Sequence, residues 1–184
     1  TRGGPLVTLP PGYQIGVDVG TDSRKTFMFG LGGFTYMRSS EDYDLQGYVN
    51  VQYRPKPNVS VTVGPQLYRG SNPRQYIDAF DDSTGGATAT YNSHYVFGRI
   101  SQTELSAGIR LNWTYSPTLS LQVYAQPLIS AGSYDQFREL AQPRSNSYNE
   151  YGKDNNSTIT YVDSLHAYQV DPDGAGPAQM LTFG

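Results

Sequence analysis

The side chains that most often do chemistry are few and scattered in this sequence. His94 and His166 are its two histidines, and each lies in a polar stretch with no partner at the spacing of a metal site or a catalytic triad. The run GLGG at 30–33 has the glycines of a phosphate loop but lacks the helix and the Lys-Ser/Thr ending that such a loop requires. We therefore predict a β-bulge at these glycines, and no catalytic or cofactor-binding residue and no cofactor.

Carboxylates are the remaining candidates for metal or acid–base chemistry. Asp171 and Asp173, and separately the pair at 81–82, could bind calcium through loop oxygens, but neither set completes a known ligand series. Three carboxylates at 41–44 could act as a glycosidase pair, yet nothing in the sequence orients them. Solvated turns are the favoured interpretation of all three sets, so no metal site is predicted, and Asp171 and Asp173 remain the calcium candidates.

Composition narrows the classes of protein further. The 184 residues contain no cysteine, which excludes disulfides, thiolate metal sites and cysteine nucleophiles, and the net charge of −3 gives no footprint for nucleic acid. No apolar run reaches about 18 residues, so no transmembrane helix is predicted. Sixteen Tyr and 20 Gly against only 37% hydrophobic residues are typical of a membrane β-barrel, in which one face of each strand meets lipid.

Strict alternation of apolar and polar residues is the main structural signal. It predicts strands at 13–21, 26–37, 43–53, 59–69, 94–115 and 119–131. The remainder, 132–184, is loop-rich and predicted to be extracellular, with an extra strand candidate at 158–170. The whole chain, 1–184, is interpreted as a single β-barrel segment.

The lengths of the connections suggest a topology. Tight turns are predicted at 22–25, 55–58 and 116–118, whereas the stretches 70–93 and 130–157 are long and polar. Counting strands places the tight turns at one end and the long stretches at the other. Short periplasmic turns opposite long extracellular loops are the arrangement of an up-and-down antiparallel outer-membrane barrel.

This topology assigns a place to particular side chains. The odd-numbered apolar residues are expected to face lipid: Val49, Val51, Val61, Val63, Ile109, Leu111, Leu121 and Val123. Tyr53, Trp113 and Tyr115, next to the tight turns, are predicted to lie in the membrane interface. Arg110 faces the polar side, where it could tune solute selectivity, although a salt bridge with Asp18 or Asp44 is the favoured interpretation.

Four segments resemble a family of large bacterial proteins. They are TRGGPL at 1–6, DSRK at 22–25, FRELAQPR at 137–144 and LSAGIRLNWTYSPTLSLQVYAQP at 105–127, of which 111–127 is the most specific part. That family carries an N-terminal carbohydrate-binding module of the family 9 type, followed by an uncharacterised domain believed to form an outer-membrane barrel. The resemblance covers 1 to about 144 and lies within the barrel domain, so it transfers no sugar-binding residue.

The predicted function is accordingly structural. We expect a non-enzymatic bacterial outer-membrane barrel acting as a pore, uptake protein or surface scaffold, with the lipid bilayer and glycans as its partners. Six or seven strands cannot close a single-chain barrel, so further strands or another chain would complete it. The alternative is a soluble β-rich domain that binds carbohydrate or protein, for which a β-sandwich would give the same alternation. Part of a glycoside-active protein comes third.

Overall fold

The fold is all-β and antiparallel, as predicted. The computed structural model describes residues 6–83, 85–174 and 181–184, and no α-helix occurs among them. The strands are β1 (Tyr13–Gly20), β2 (Phe27–Ser39), β3 (Asp42–Lys56), β4 (Val59–Asp81), β5 (Ser93–Ser116), β6 (Leu119–Ala125), β7 (Leu128–Leu140), β8 (Tyr148–Glu150), β9 (Thr158–Val162), β10 (Ala167–Asp171) and β11 (Leu181–Phe183). Two 3₁₀ turns, Thr88–Thr90 and Asp163–Leu165, complete the elements. None of the described helical turns has the length or apolarity to cross a membrane.

The chain divides into two compact units. The meander unit comprises Gly12–Ser71 and Ser101–Ser133, and the cap unit comprises Thr1–Pro11, Asn72–Ile100 and Tyr134–Gly184. The boundaries between the units fall inside β4, β5 and β7. Because no linker separates the units, the sequence pattern gives no sign of the boundaries.

The large sheet follows chain order. Its strands run β1-β2-β3-β4-β5-β7-β8, and β6 also pairs with β5. The tight turns predicted at 22–25, 55–58 and 116–118 coincide with the connections β1–β2, β3–β4 and β5–β6. At the other end, however, β2 and β3 are joined by Ser40 and Glu41 alone, so that end of the meander is not made of long loops throughout.

β6 and β7 behave as one strand interrupted by a proline. Ile109 pairs with Ala125 on β6, and the Ala107 amide donates to the Pro127 carbonyl at 3.1 Å, which continues the same register toward β7. Proline has no N–H to return to the ladder, so the strand is broken there without a change of direction. The predicted strand 119–131 therefore extends to Leu140.

Three sequence predictions differ from the structure. The predicted bulge at 30–33 is wrong, because β2 and β3 pair in continuous register through Gly33 and shift only between Met37 and Ser39. The polar stretch 70–93 is strand as far as Asp81, and 130–157 is strand as far as Leu140. These segments lack the apolar alternation by which strands were recognised. Residues 1–5, 84 and 175–180, which also belonged to predicted segments, lie outside the described residues.

The cap unit has its own apolar core. Val96, Phe137, Tyr151, Val170, Leu181 and Phe183 form it, and Ile77, Phe80, Ile159 and Tyr168 pack around them. The single strand predicted at 158–170 is instead two antiparallel strands, β9 and β10, which reverse at His166 with φ of 48°. Together with β11 they form a three-stranded sheet, so 132–184 is less loop-rich than its composition suggests.

Candidate functional site

One face of the meander unit is apolar and exposed. Register aligns its odd-numbered residues in rows across the strands: Val19 pairs with Leu31 and Leu31 with Val49, while Phe29 pairs with Val51 and Val51 with Val63. Between β5 and β6, Leu111 pairs with Val123 and Trp113 pairs with Leu121. None of the eight residues predicted to face outward is buried, and Leu121 is 48% exposed.

The meander unit has almost no apolar interior. Among its described residues the only buried hydrophobic side chain is Met28, whereas Val96, Phe97, Val170 and the other large buried residues belong to the cap unit. A folded sheet whose apolar face remains this open is unusual for a protein in water, where contiguous apolar patches of more than a few hundred Å² are rare.

Aromatic rings lie at the tight-turn end of this face. Tyr53, Trp113 and Tyr115, the three predicted interface residues, are 48%, 40% and 70% exposed. Trp113 and Tyr115 meet edge to face with ring centroids 5.8 Å apart, and Phe27 is the cross-strand partner of Tyr53. The structure thus places them at the tight-turn end of the sheet.

The opposite face of the meander unit is polar, and its tyrosines cover glycines. Gly32 pairs with Tyr48, and a Cβ built on Gly32 would lie 2.7 Å from the Tyr48 hydroxyl oxygen. Likewise the Cβ of Phe34 lies 3.5 Å from the corresponding position on Gly16. Aromatic residues on this face explain why the apolar pattern changes parity after Gly33 without any bulge.

Carboxylates on the polar face are bound by these tyrosines. Tyr48 donates its hydroxyl hydrogen to Asp18, and Tyr68 donates to Asp44. The favoured interpretation of Arg110, a salt bridge with one of these aspartates, is wrong, because Arg110 forms no ion pair with a described residue. The Arg110 guanidinium instead lies over the Tyr124 ring, 5.5 Å from its centroid.

The cap unit contains a buried polar cluster that sequence reasoning missed. His94 Nδ1 lies 2.6 Å from a carboxylate oxygen of Glu139, and Nε2 lies 3.8 Å from one of Asp82. The Tyr151 hydroxyl donates to the same Glu139 oxygen at 3.2 Å. Because Glu139 is 45 positions from His94, no local spacing could have indicated the pair.

The electrostatics of this cluster favour a charged imidazole. Burial opposes the charge and on its own lowers the pKa of His94, but the hydrogen bond that His94 donates to Glu139 and the charges of Glu139 and Asp82 outweigh burial and leave that pKa raised. Burial, with Glu139 nearby, also raises the pKa of Tyr151. The two ring nitrogens of His94 therefore each face a carboxylate, one of Glu139 on β7 and one of Asp82 just after β4.

The remaining candidates lie at the end of a strand or in the connections beside it. Asp171 accepts a hydrogen bond from the Gly174 amide at 3.1 Å, and Asp173 lines a cavity of about 160 Å³ beside Glu139 and His94. Within the described residues, no group of three His, Asp or Glu side chains is arranged to hold a metal ion. His166 is exposed at the β9–β10 reversal.

These features define an all-β protein with a two-faced antiparallel sheet, apolar on one side and polar on the other. The chain belongs to the family described as domain of unknown function DUF5916, whose model matches residues 2–174. Comparisons with curated proteins and with solved structures found no match. The family description carries neither the carbohydrate-binding nor the membrane context that the sequence resemblance implies, so both stay predictions.

Proposed function

We propose that this chain is part of a bacterial outer-membrane β-barrel that acts as a pore, uptake protein or surface scaffold. The observation that carries the proposal is the exposed apolar face of the meander unit, which has only Met28 as a buried apolar residue among those described. Exposure of aliphatic side chains to water is unfavourable, and contact with the hydrocarbon of a lipid bilayer removes this free-energy cost.

The dimensions of this face support the proposal. On β3 the outward residues run from Leu45 to Tyr53, and on β5 from Leu105 to Trp113. Such a segment of nine residues is about 30 Å long at 3.3 Å per residue, and a tilt of about 40° reduces its height to roughly 25 Å. That is the height of the apolar band of outer-membrane barrels, and aromatic rings lie at one of its borders.

The free edges of the sheet indicate what else the barrel requires. In the described pairing β1 bonds only to β2, and β6 only to β5. Unpaired N–H and C=O groups are costly in hydrocarbon, so further strands must pair with both edges if the sheet spans a membrane. We propose that such strands come from elsewhere in the same protein or from a second chain.

Paired cysteine substitutions test this proposal, and the chain has no cysteine to interfere. The protein would be spin-labelled at Val51→Cys or Leu121→Cys, with Gln52→Cys and Gln122→Cys as neighbours on the other face, in isolated envelope membranes. We expect relaxation by oxygen, which concentrates in lipid, at Val51 and Leu121, and relaxation by a water-soluble nickel chelate at the two controls. Equal access of the chelate to both members of each pair would exclude a lipid-facing surface.

A second candidate function, glycan binding, is favoured by the aromatic surface of the cap unit. Tyr134, Phe137 and Tyr168 line a cavity of about 340 Å³, and Tyr161 stands 5.0 Å from Tyr168 between ring centroids. Flat rings of this kind can stack on sugar faces. Retardation in polysaccharide-containing native gels should be reduced by Tyr161→Ala and unchanged by Tyr91→Ala, which removes an exposed ring outside the cluster.

A further inference from the structure

The polar face of the meander unit contains a cleft with one uncompensated positive charge. The cleft has a volume of about 290 Å³, and its lining residues are Asn50, Thr62, Gly64, Gln66, Gly108, Arg110, Tyr124 and Gln126. No carboxylate is among them. Within the described part of the chain Arg110 has no ion pair, and its guanidinium lies over the Tyr124 ring.

The carboxylates that could have neutralised Arg110 are engaged elsewhere. Asp18 and Asp44 accept hydrogen bonds from Tyr48 and Tyr68, respectively. Tyr124 holds the guanidinium by its ring face, which leaves the planar edge of the guanidinium and its N–H donors available to a ligand.

The side-chain amides of Gln66 and Gln126, which also line the cleft, have NH₂ groups that can donate to a ligand. The Gln66 carbonyl oxygen accepts from the Gln46 amide at 3.2 Å, and the Gln126 carbonyl oxygen accepts from the Tyr124 hydroxyl at 2.6 Å. With both acceptor oxygens occupied, the NH₂ groups of Gln66 and Gln126 are the parts that remain for a ligand. A guanidinium and two amide NH₂ groups around one cleft present donors to an anion.

Glycine supplies the space in which an anion would bind. A Cβ built on Gly108 meets no heavy atom within 4 Å, and one on Gly64 meets Asn50 Nδ2 only at 3.5 Å. The cleft is at the lower end of the volumes that accommodate small ligands, and its hydroxyl and amide groups can bind a hydroxylated molecule.

We infer that the Arg110 cleft is a binding site for a small hydroxylated carboxylate, such as a sugar acid. Arginine forms a fork of two parallel N–H···O bonds with a planar carboxylate, and the amides and Thr62 would hold its hydroxyl groups. The inference deepens the proposed function by giving the polar face a solute class, and it depends on that function only for the role of the bound molecule in transport.

Equilibrium dialysis of the full-length protein in detergent tests the site with radiolabelled D-glucuronate, with D-glucose as the neutral control and inorganic phosphate as a competitor. We expect saturable glucuronate binding that glucose does not match and that phosphate displaces only weakly. Arg110→Gln should raise the Kd at least tenfold, and Arg110→Lys, which keeps the charge without the fork, should raise it by less. Arg54→Gln removes an equal charge at the turn end of the same face and should leave the Kd within twofold.

Gly108→Val provides a variant that keeps Arg110 and fills the cleft, and it should also weaken binding at least tenfold. Equal loss with Arg54→Gln and Arg110→Gln, equal binding of glucose and glucuronate, or stronger binding of phosphate would each overturn the assignment. Because this binding is measured in detergent, it can fail while the spin-label pattern of the lipid face persists, and the reverse can also occur.

Discussion

Tyr48 on β3 donates its hydroxyl hydrogen to Asp18 on β1, and the bond passes over Gly32 on the strand between them. Asp18 pairs with Gly32, and Gly32 pairs with Tyr48, so the three residues form one row across β1, β2 and β3. A side chain on the middle strand would occupy the space in which the hydroxyl and the carboxylate meet.

Gly32→Ala should therefore destabilise the meander unit. The new Cβ would lie 2.7 Å from the Tyr48 hydroxyl oxygen, and displacing that ring breaks a bond between nonadjacent strands. We expect a loss of about 1–3 kcal/mol, typical of overpacking at a well-filled site. The measurement is the midpoint of urea unfolding from lipid vesicles. Gly47→Ala is the control, since a Cβ there meets nothing within 4 Å; an equal shift for both variants would contradict the role assigned to Gly32.

Arginine substitutions should reveal the depth of the apolar face. Leu111 and its partner Val123 lie several residues from the 116–118 turn, whereas Leu119 lies next to it. Leu111→Arg should cost about 2–4 kcal/mol and Leu119→Arg about 0–1 kcal/mol, because the penalty in a bilayer falls toward the interface. Reversible folding into vesicles measures both.

Asn112→Arg is the matched control for this series, because Asn112 lies on the polar face and its amide donates to Ser60 at 3.3 Å. It should cost about 1 kcal/mol, the value of the one hydrogen bond it removes. Similar losses of folding free energy for Leu111→Arg and Leu119→Arg would mean that the loss does not depend on depth in the membrane, and would contradict the prediction.

Trp113 offers an optical test of the interface, since it is the only tryptophan of this chain. The emission difference between the protein and its Trp113→Phe variant isolates this residue. We expect stronger quenching by lipids brominated near the headgroup than by lipids brominated deep in the acyl chain, as for an interfacial ring. Quenching by aqueous iodide without any effect of brominated lipid would place Trp113 in water.

The His94 cluster should make the cap unit sensitive to pH. The folded-state pKa of His94 is raised above the unfolded value of about 6.5, so its stabilisation is fully present below that pH and is lost as pH rises through the folded-state pKa. Protease cleavage in the connection 82–92, which Asp82 organises through the Gly85 and Ala87 amides, should accelerate as pH rises through this range. His94→Gln should abolish the dependence and His166→Gln should preserve it; a pH-independent native protein would contradict a charged His94.

Sequence reasoning identified the meander because both of its faces repeat with a period of two residues. Val49, Val51 and Val61 alternate with polar neighbours for the full length of a strand, and turn-forming Pro57 and Pro117 mark where strands reverse. It failed at 70–81, where apolar residues such as Tyr76 and Ile77 are adjacent in sequence, so the alternation that marks a strand is absent although the segment is part of β4.

Side-chain partners that are far apart in the sequence could not be predicted, for a different reason. His94 and Glu139, or Tyr48 and Asp18, meet through register across several strands, and a single register error would separate them. The Arg110 salt bridge was expected from charge complementarity, which does not identify one partner among several; in the structure Asp18 and Asp44 accept hydrogen bonds from Tyr48 and Tyr68.

The open edges of β1 and β6 have a consequence for the order of events in biogenesis. Each edge presents backbone donors and acceptors that water satisfies and hydrocarbon does not, so an isolated sheet of these strands would resist entering a bilayer. Such edges also invite pairing with other chains in solution. In the proposed barrel, insertion would therefore follow the pairing of β1 and β6 with the strands that complete the sheet.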